Sequence, residues 1–290
     1  MEVKDQLRQK KKENDVIYKD EISFLHSLIK VLHIAYSVLV MMFLVNPLIL
    51  IGYKYYRTKE WDLVLPFLIL YPFDSHDIKY WPFVYLHQIW SNVVVNVYIC
   101  SSDFILYTCC TFITIQFRLL QSEIKDLVKE NTTLKNFKTS FREMVMWHQD
   151  LIRCTQTLEV IYSKSILFNF ISSSVLICLT GFDVLVLTDK IMVISFVSFL
   201  LTSLLQIFFV CFFGDLLMRS SMGVGDAAYK CLWYGKEPFV GKNLLLMMIR
   251  SSKPCKITAY GFADVNLTAF MRILSNAWSY FALLKTIVFG

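Results

Sequence analysis

Residues of reactive type are few in this sequence, and their spacing suits no common catalytic or metal site. The pair Cys109-Cys110 lies in a hydrophobic stretch and is interpreted as small side chains packed against lipid or other helices. His148 has no second metal ligand three or four positions away. The segment 223–228, GVGDAA, contains one Gly-x-Gly and lacks the rest of a dinucleotide-binding loop. Zinc-protease and serine-hydrolase motifs are also missing. We therefore expect no enzyme activity, no cofactor and no metal site.

Two carboxylates fall within strongly hydrophobic stretches, where an ionisable group is costly. Asp103 follows Ser101 and Ser102, and Asp183 lies near the end of another stretch. Asp103 has two interpretations that the sequence leaves open. It forms a packing bond with the neighbouring serines, or it contacts an ion or a ligand.

The elements that hold these residues are predicted to be membrane helices. Hydrophobic residues make up 56% of the 290 residues and charged residues 18%, where soluble chains carry roughly 25% charged residues. Crossing a bilayer takes about 20 helical residues. Five stretches are long enough, at 28–53, 91–117, 166–188, 191–213 and 267–289. The expected fold is therefore all-α, a multipass transmembrane helical bundle.

Lysine and arginine predict the orientation of these five spans, because cytoplasmic loops carry an excess of both. Segments 1–27, 118–165 and 214–266 together hold twenty-one of them, whereas the loop 54–90 and the turn 189–190 hold five. The N-terminus is therefore expected in the cytoplasm and the C-terminus outside. The basic run RQKKK is interpreted as a cytoplasmic flank rather than a nucleic-acid site.

Two connecting segments are expected to have structure of their own. The outer loop 54–90 is rich in aromatic residues, and Pro66 and Pro72 make it turn back on itself. It is either an interfacial aromatic belt or a structured lid over a hydrophobic pocket. The inner segment 118–165 has apolar residues at helical spacing, so we expect the flanking spans to extend as helices into the cytoplasm.

The last third of the chain carries a series of motifs. They are Gly214-Asp215, Trp233-Tyr234, Lys253-Pro254, Ile257-Thr258-Ala259, Leu267-Thr268 with Phe270, Ser279-Tyr280-Phe281 and Leu283-Leu284. The outer loop adds LPFLILYPFD. Together these motifs resemble the insect odorant receptors. The resemblance covers nearly the whole chain, and its C-terminal part is the specific one.

The resemblance implies a receptor that is also an ion channel. Such receptors place the N-terminus inside, and they assemble with a shared co-receptor into hetero-tetrameric cation channels of the plasma membrane of olfactory sensory neurons. Small volatile odorants open the channel. The segment 214–266 would be a cytoplasmic anchor loop, and 28–213 would form the four-span bundle. The last segment, 267–290, would form the pore helix.

Site residues follow from the same resemblance. Matching the last helix through Tyr280-Phe281 places Leu283 and Ile287 at a hydrophobic gate, with Thr286 between them facing the pore. Lys285 would face away from the pore axis or reach the outer surface. The odorant pocket would be lined by residues in the outer halves of four spans, namely Met42, Phe43, Asn46, Trp90, Val93, Tyr98, Phe182, Phe196 and Phe199.

Other interpretations of the sequence concern an incomplete chain or a different class of membrane protein. Odorant receptors have seven spans, and the five here match the last five, so we expect an N-terminally truncated fragment ahead of a working short form. A gustatory receptor is the nearest rival, but the Gln-Phe expected after the last-helix tyrosine is absent after Tyr280. A five-span transporter or scaffold would predict internal repeats, and the sequence has none at a consistent period.

Overall fold

Six α-helices account for most of the described part of the chain. The computed structural model describes residues 2–59, 61, 63–67, 69–74, 77–127, 134–186, 190–231, 233–235 and 237–289. The helices are α1 (Glu2–Thr58), α2 (Trp81–Leu127), α3 (Leu134–Val186), α4 (Lys190–Lys230), α5 (Pro238–Ser251) and α6 (Leu267–Phe289). Within the described ranges, β-structure is confined to an isolated bridge between Thr258 and Asp264. The prediction of an all-α fold is confirmed.

Helix starts follow from local sequence. The Asn266 side chain accepts a hydrogen bond from the Ala269 backbone N–H at 2.8 Å, which caps the first turn of α6. Pro238 lies in the first turn of α5. A backbone N–H in that turn would have no intrahelical acceptor, so proline costs the helix no hydrogen bond there. Before α2, the Asp77 carboxylate accepts from the Lys79 N–H at 3.1 Å. These local features mark the beginnings of α2, α5 and α6.

Four described helices are long and apolar enough to cross a membrane. They are Tyr18–Thr58, Trp81–Leu127, Phe137–Val186 and Val193–Lys230, which match the first four predicted spans. The fifth predicted span is helical as α6 but is not among these four, because its apolar run is interrupted by Arg272, Asn276 and Lys285. The count of five spans therefore stays a prediction.

The helices continue well beyond the predicted spans. α2 runs on to Leu127 and α3 begins at Leu134, so both helices extend past the predicted spans. The cytoplasmic location of these extensions stays a prediction. α4 continues beyond the predicted span to Lys230, and α5 follows it. The segment 214–266 is thus largely helical, and its assignment as a cytoplasmic anchor between spans stays a prediction.

The chain divides into two compact units, and α1, α2, α3, α4 and α6 each contribute to both. Unit 1 comprises 1–27, 105–172 and 207–274. Its core contains a stack of Tyr107 on Phe213, with ring centroids 4.9 Å apart. His148 is buried there and meets the Phe117 ring edge-on at 6.1 Å. His148 is thus a packed side chain in the core of unit 1.

Gly214 marks a close approach of α4 to another segment in unit 1. A Cβ atom at this position would lie 2.3 Å from the Val265 carbonyl oxygen and 2.8 Å from Val265 Cγ1. Only glycine leaves room for this contact. Val265 stands directly before the cap residue Asn266, so the contact holds α4 against the start of α6.

Candidate ligand site and pore-type helix

The segment before α2 is fixed to that helix in unit 2, which comprises 28–104, 173–206 and 275–290. Gln88 is almost fully buried, and its side chain bonds both backbone groups of Phe67, each at 3.0 Å. Trp81 Nε1 donates to the Val64 carbonyl at 3.3 Å. Buried amides of this kind are costly to leave without partners. The described residues 63–67 therefore form an ordered cover rather than a slack loop.

A small hydrophobic cluster completes this cover. Leu65, Val84 and Tyr85 are buried together, with Trp81 packed against them. The Tyr85 hydroxyl donates to the Leu44 backbone carbonyl on α1. This bond ties the beginning of α2 to the part of α1 that carries predicted pocket residues.

Phe43 lies between two other aromatic rings. Its ring is stacked on Phe67, with centroids 6.2 Å apart and planes 7° apart. It meets Phe199 edge-on, again at 6.2 Å, with planes 78° apart. Both arrangements are favoured by the aromatic quadrupole. The structure thus brings together the predicted pocket residues Phe43 and Phe199 and adds Phe67 from the cover.

One polar pair lies on the same two helices as this aromatic group. The Asn46 side-chain amide on α1 donates to the Ser195 hydroxyl on α4. Ser195 is buried and Asn46 is half-buried. Asn46 is one turn beyond Phe43 on α1, and Ser195 is one turn before Phe199 on α4. An apolar aromatic surface with one adjacent polar pair suits a small organic molecule that has a single hydrogen-bonding group.

The other predicted pocket residues occupy two kinds of environment. Met42, Phe182 and Phe196 are half-buried. Trp90, Val93 and Tyr98, all on α2, are exposed in the single chain, and Tyr98 keeps 75% of its side-chain exposure. The latter three are not brought together with the Phe43 group by any described contact.

Asp103 is held by an amide from another helix. Gln206 Nε2 on α4 donates to Asp103 Oδ2 at 2.7 Å, and Asp103 is buried. Tyr36 on α1 is buried close to both Asp103 and Cys100, and its hydroxyl has no hydrogen-bond partner among the residues that the structure describes. The packing-bond interpretation of Asp103 is thus supported, with Gln206 as a partner that the sequence analysis did not name.

The predicted gate residues share one face of α6. Leu283 and Ile287 are exposed to 59% and 69% in the single chain. The Thr286 hydroxyl donates to the Ala282 carbonyl of its own helix at 3.0 Å. On another side of the helix, the Phe281 ring lies 3.6 Å from where a Cβ on Gly181 would be. α6 therefore packs through Phe281 and leaves the predicted gate face open.

A cleft of about 440 Å³ lies in unit 1, between the end of α2 and the beginning of α3. Its lining residues are Glu123, Asp126, Leu127, Ser140, Glu143, Met144 and Trp147. Three carboxylates make it unsuited to an apolar ligand, and none of the predicted pocket residues lines it. Among the described residues, no group of three or more His, Cys, Asp or Glu could hold a metal ion.

Comparison with known proteins decides the family. A family model described as the 7tm odorant receptor matches residues 2–278. The chain belongs to the 7tm odorant receptor family. The prediction made from the C-terminal motifs is confirmed. The relatives are odorant receptors and not enzymes, which agrees with the missing catalytic motifs.

Two odorant receptors of Drosophila melanogaster give the scale of the similarity. Odorant receptor 67c is 29% identical over 238 residues, which cover 81% of this chain and 58% of that protein. Putative odorant receptor 92a is 27% identical over 289 residues, covering 98% of this chain and 69% of that protein. The chain thus spans between 58% and 69% of the length of these two relatives.

Solved odorant receptor structures share the fold. The insect olfactory receptor OR5 from Machilis hrabei, in complex with eugenol, superposes with a TM-score of 0.84 at 20% identity. The match covers 97% of this chain and 70% of that one. A second structure of the same receptor superposes with the same TM-score at 19% identity. The helical architecture is therefore that of an insect olfactory receptor.

Sequence reasoning missed several polar residues that organise the candidate site. Ser195, Gln88 and Gln206 are uncharged, so a search for ionisable groups inside spans passes over them. Their partners are also distant in sequence, since Asn46 and Ser195 are 149 positions apart. A search for amide and hydroxyl side chains within hydrophobic stretches would have found Ser195 and Gln206, whereas Gln88 lies in the predicted loop 54–90.

Proposed function

We propose that this chain is a subunit of an odorant-gated cation channel. Its family supports the receptor role, and the aromatic group around Phe43 is the observation that carries the ligand site. Phe43 contacts Phe67 of the cover and Phe199 of α4. A ligand that fits against Phe43 would therefore contact three separate segments and could alter their packing.

The chemistry of the group favours small volatile hydrophobic ligands. Micromolar binding requires about 8 kcal/mol. For a ligand of about ten heavy atoms this is roughly 0.8 kcal/mol per atom, which is within the ceiling of about 1.5 for small ligands. Contact with aromatic rings supplies most of this, and the Asn46–Ser195 pair offers one hydrogen-bonding group. Met42, Phe182 and Phe196 are proposed to complete the wall, and Trp90, Val93 and Tyr98 to contribute from α2.

The pore is proposed to lie along α6, as a fifth span. In a channel of several subunits, the open face of Leu283, Thr286 and Ile287 would line the conduction path. Leu283 and Ile287 are one helical turn apart, which suits a hydrophobic constriction that closes by dewetting. We propose a hetero-tetramer with the odorant co-receptor.

The proposed location is the plasma membrane of an olfactory sensory neuron. The N-terminus is proposed to be cytoplasmic and the C-terminus extracellular, as the distribution of lysine and arginine indicates. In this orientation, the cover formed by 63–67 lies on the extracellular side of the membrane. Odorants would then approach the Phe43 group from outside the cell.

The test is co-expression of the chain with an odorant co-receptor in oocytes under voltage clamp, with a panel of volatile compounds. For an activating compound, Phe43→Ala removes the ring proposed to contact the ligand, and burial against a phenyl side chain is worth about 1.5–3 kcal/mol. The concentration for half-maximal current should therefore rise by about 10- to 100-fold, since about 1.4 kcal/mol is tenfold.

Phe168→Ala is the matched control, because Phe168 is 75% exposed on α3 and belongs to no described ring contact. Its half-maximal concentration should stay within about twofold of the parent. Surface labelling must show equal amounts of all variants. A chain that reaches the surface with the co-receptor and answers no volatile compound contradicts the proposed function, and equal shifts in both variants contradict the Phe43 site.

A further inference from the structure

A compact hairpin precedes α6 in unit 1. In the 257–265 hairpin, the Val265 N–H donates to the Ile257 carbonyl at 2.9 Å. At its tip, the Phe262 N–H donates to the Ala259 carbonyl at 3.0 Å. Ile257, Ala259 and Val265 are buried. The base of the hairpin is therefore part of the core, and its tip projects from it.

The tip exposes two aromatic rings. Tyr260 is 57% exposed and Phe262 is 79% exposed. Tyr260 has a φ of 52° and Gly261 a φ of 78°, a pair of left-handed residues typical of a tight hairpin turn. Glycine, asparagine and aspartate are the usual residues there, so tyrosine at φ above zero is an unfavourable choice for the backbone. Such departures from local preference are expected where a side chain serves a purpose other than folding.

The hairpin is fastened to α3 and cannot withdraw its tip. The Thr258 hydroxyl donates to the Glu159 carboxylate at 2.5 Å and accepts from the Gly261 N–H at 3.1 Å. Lys164 Nζ lies 5.9 Å from the centre of the Tyr260 ring. The position of the tip along the α3 axis is thus set by its contacts with the stretch between Glu159 and Lys164.

This stretch of α3 is where the exposed surface changes from polar to apolar. Exposed polar side chains precede it, namely Gln149, Asp150, Arg153, Gln156 and Thr157. Exposed apolar side chains follow, namely Val160, Ile161, Phe168 and Ile171, at 59% to 77% exposure. The predicted span 166–188 begins here as well. A change of this kind along one helix is expected at the boundary between water and lipid.

We propose that Tyr260 and Phe262 insert into the interfacial layer of the bilayer and anchor the start of α6 to the lipid surface. Aromatic rings favour the headgroup level. Lys164, whose Nζ lies 5.9 Å from the centre of the Tyr260 ring, has an aliphatic stem and a charged end, which suits the same layer. The hairpin leads directly into the Asn266 cap, so the anchor holds the first turn of α6 at a fixed depth. This site is separate from the odorant pocket.

The test is spin-label accessibility in the full chain reconstituted in phospholipid nanodiscs. A nitroxide is attached at Phe262→Cys in a Cys154→Ser background, since Cys154 is the exposed cysteine among the eight. Collisions with oxygen, which concentrates in lipid, are compared with collisions with a water-soluble nickel chelate. Phe168→Cys serves as the lipid reference and Gln149→Cys as the water reference, both at exposed positions of α3.

The oxygen-to-nickel ratio at position 262 should be at least threefold above that at 149 and approach that at 168. A ratio equal to that at 149 would overturn the proposal, because the tip would then lie in water. Loss of access to both reagents would overturn it in favour of a contact with another subunit.

A second variant separates anchoring from turn formation. Tyr260→Asn retains a residue that tolerates positive φ and removes the ring. Because the spin label already replaces Phe262, this variant removes the remaining ring, so the ratio at position 262 should fall at least twofold towards the water reference. An unchanged ratio would show that Tyr260 does not take part. Neither result depends on odorant response, so the anchor can fail without the channel proposal failing.

Discussion

Replacing Gly214 by alanine is expected to destabilise the protein through one collision. The added Cβ would lie 2.3 Å from the Val265 carbonyl oxygen, where carbon contacts normally need more than 3.0 Å. Val265 cannot easily move away, because its N–H is bonded to the Ile257 carbonyl at 2.9 Å. Either α4 or the hairpin must therefore shift, and the hairpin leads into α6.

The size of the effect follows from two opposing contributions. Alanine in place of glycine inside a helix gains about 0.8–1 kcal/mol. Overpacking a filled site costs about 1–3 kcal/mol, and a collision with backbone belongs at the upper end. The expected net loss is about 2 kcal/mol. Gly52 offers a matched control, since a Cβ there meets nothing within 4 Å, so Gly52→Ala should be neutral or gain up to about 1 kcal/mol.

The assay measures the thermal stability of the two purified variants in the same detergent. Unfolding is monitored by size-exclusion chromatography with fluorescence detection. One kcal/mol corresponds to roughly 2–4 °C for chains of 150–250 residues. Gly214→Ala should therefore melt about 4–12 °C below Gly52→Ala. Equal melting temperatures would refute the reasoning, because they would mean that α4 and the Val265 backbone do not approach closely.

Four further predictions concern accessibility and buried polar contacts. In intact cells Cys154 should react with a membrane-impermeant maleimide only after permeabilisation, and labelling of untreated cells would contradict the proposed orientation. Burial raises the pKa of the Cys255 thiol, so Cys255 should stay unlabelled near neutral pH. Maleimide labelling of Cys255 in a Cys154→Ser variant at that pH would contradict the burial of Cys255. A double-mutant cycle with Asp103→Leu and Gln206→Leu should give a coupling of about 1 kcal/mol in detergent unfolding, and zero coupling would exclude their bond. Gln88→Leu removes two bonds at a cost of about 1–3 kcal/mol, so limited proteolysis of the 54–80 region should accelerate, and an unchanged rate would count against an ordered cover.

The sequence was sufficient for the helices because their signals are local and additive. Long apolar stretches predict spans wherever they occur, and the apolar spacing in 118–165 correctly predicted helical continuation. The segment 214–266 is also mostly helix. Gly214 lies inside α4, where its lack of a side chain allows the helix to pass close to Val265. The sequence does not show this contact, because it joins segments that are distant in the chain.

The candidate site was predictable only in part. Phe43 and Phe199 were chosen as aromatic residues in the outer halves of spans, and the structure brings them together. Trp90 and Tyr98 were chosen by the same criterion and lie exposed on α2. The sequence shows that a residue is aromatic and at what depth it lies, but helix rotation decides which way it faces. That rotation is set by contacts between distant segments, such as the bond from Gln206 to Asp103.

The most direct test of the channel proposal is cysteine modification on α6 during odorant-evoked current. Leu283→Cys lies on the proposed pore face and Leu284→Cys on a half-buried neighbouring position. Each is expressed with the co-receptor and exposed to a charged methanethiosulfonate reagent from outside. We predict that the reagent blocks current through the Leu283→Cys channel and spares both the Leu284→Cys channel and the parent. Odorant-evoked current that the reagent leaves unchanged in both variants would contradict a pore lined by α6.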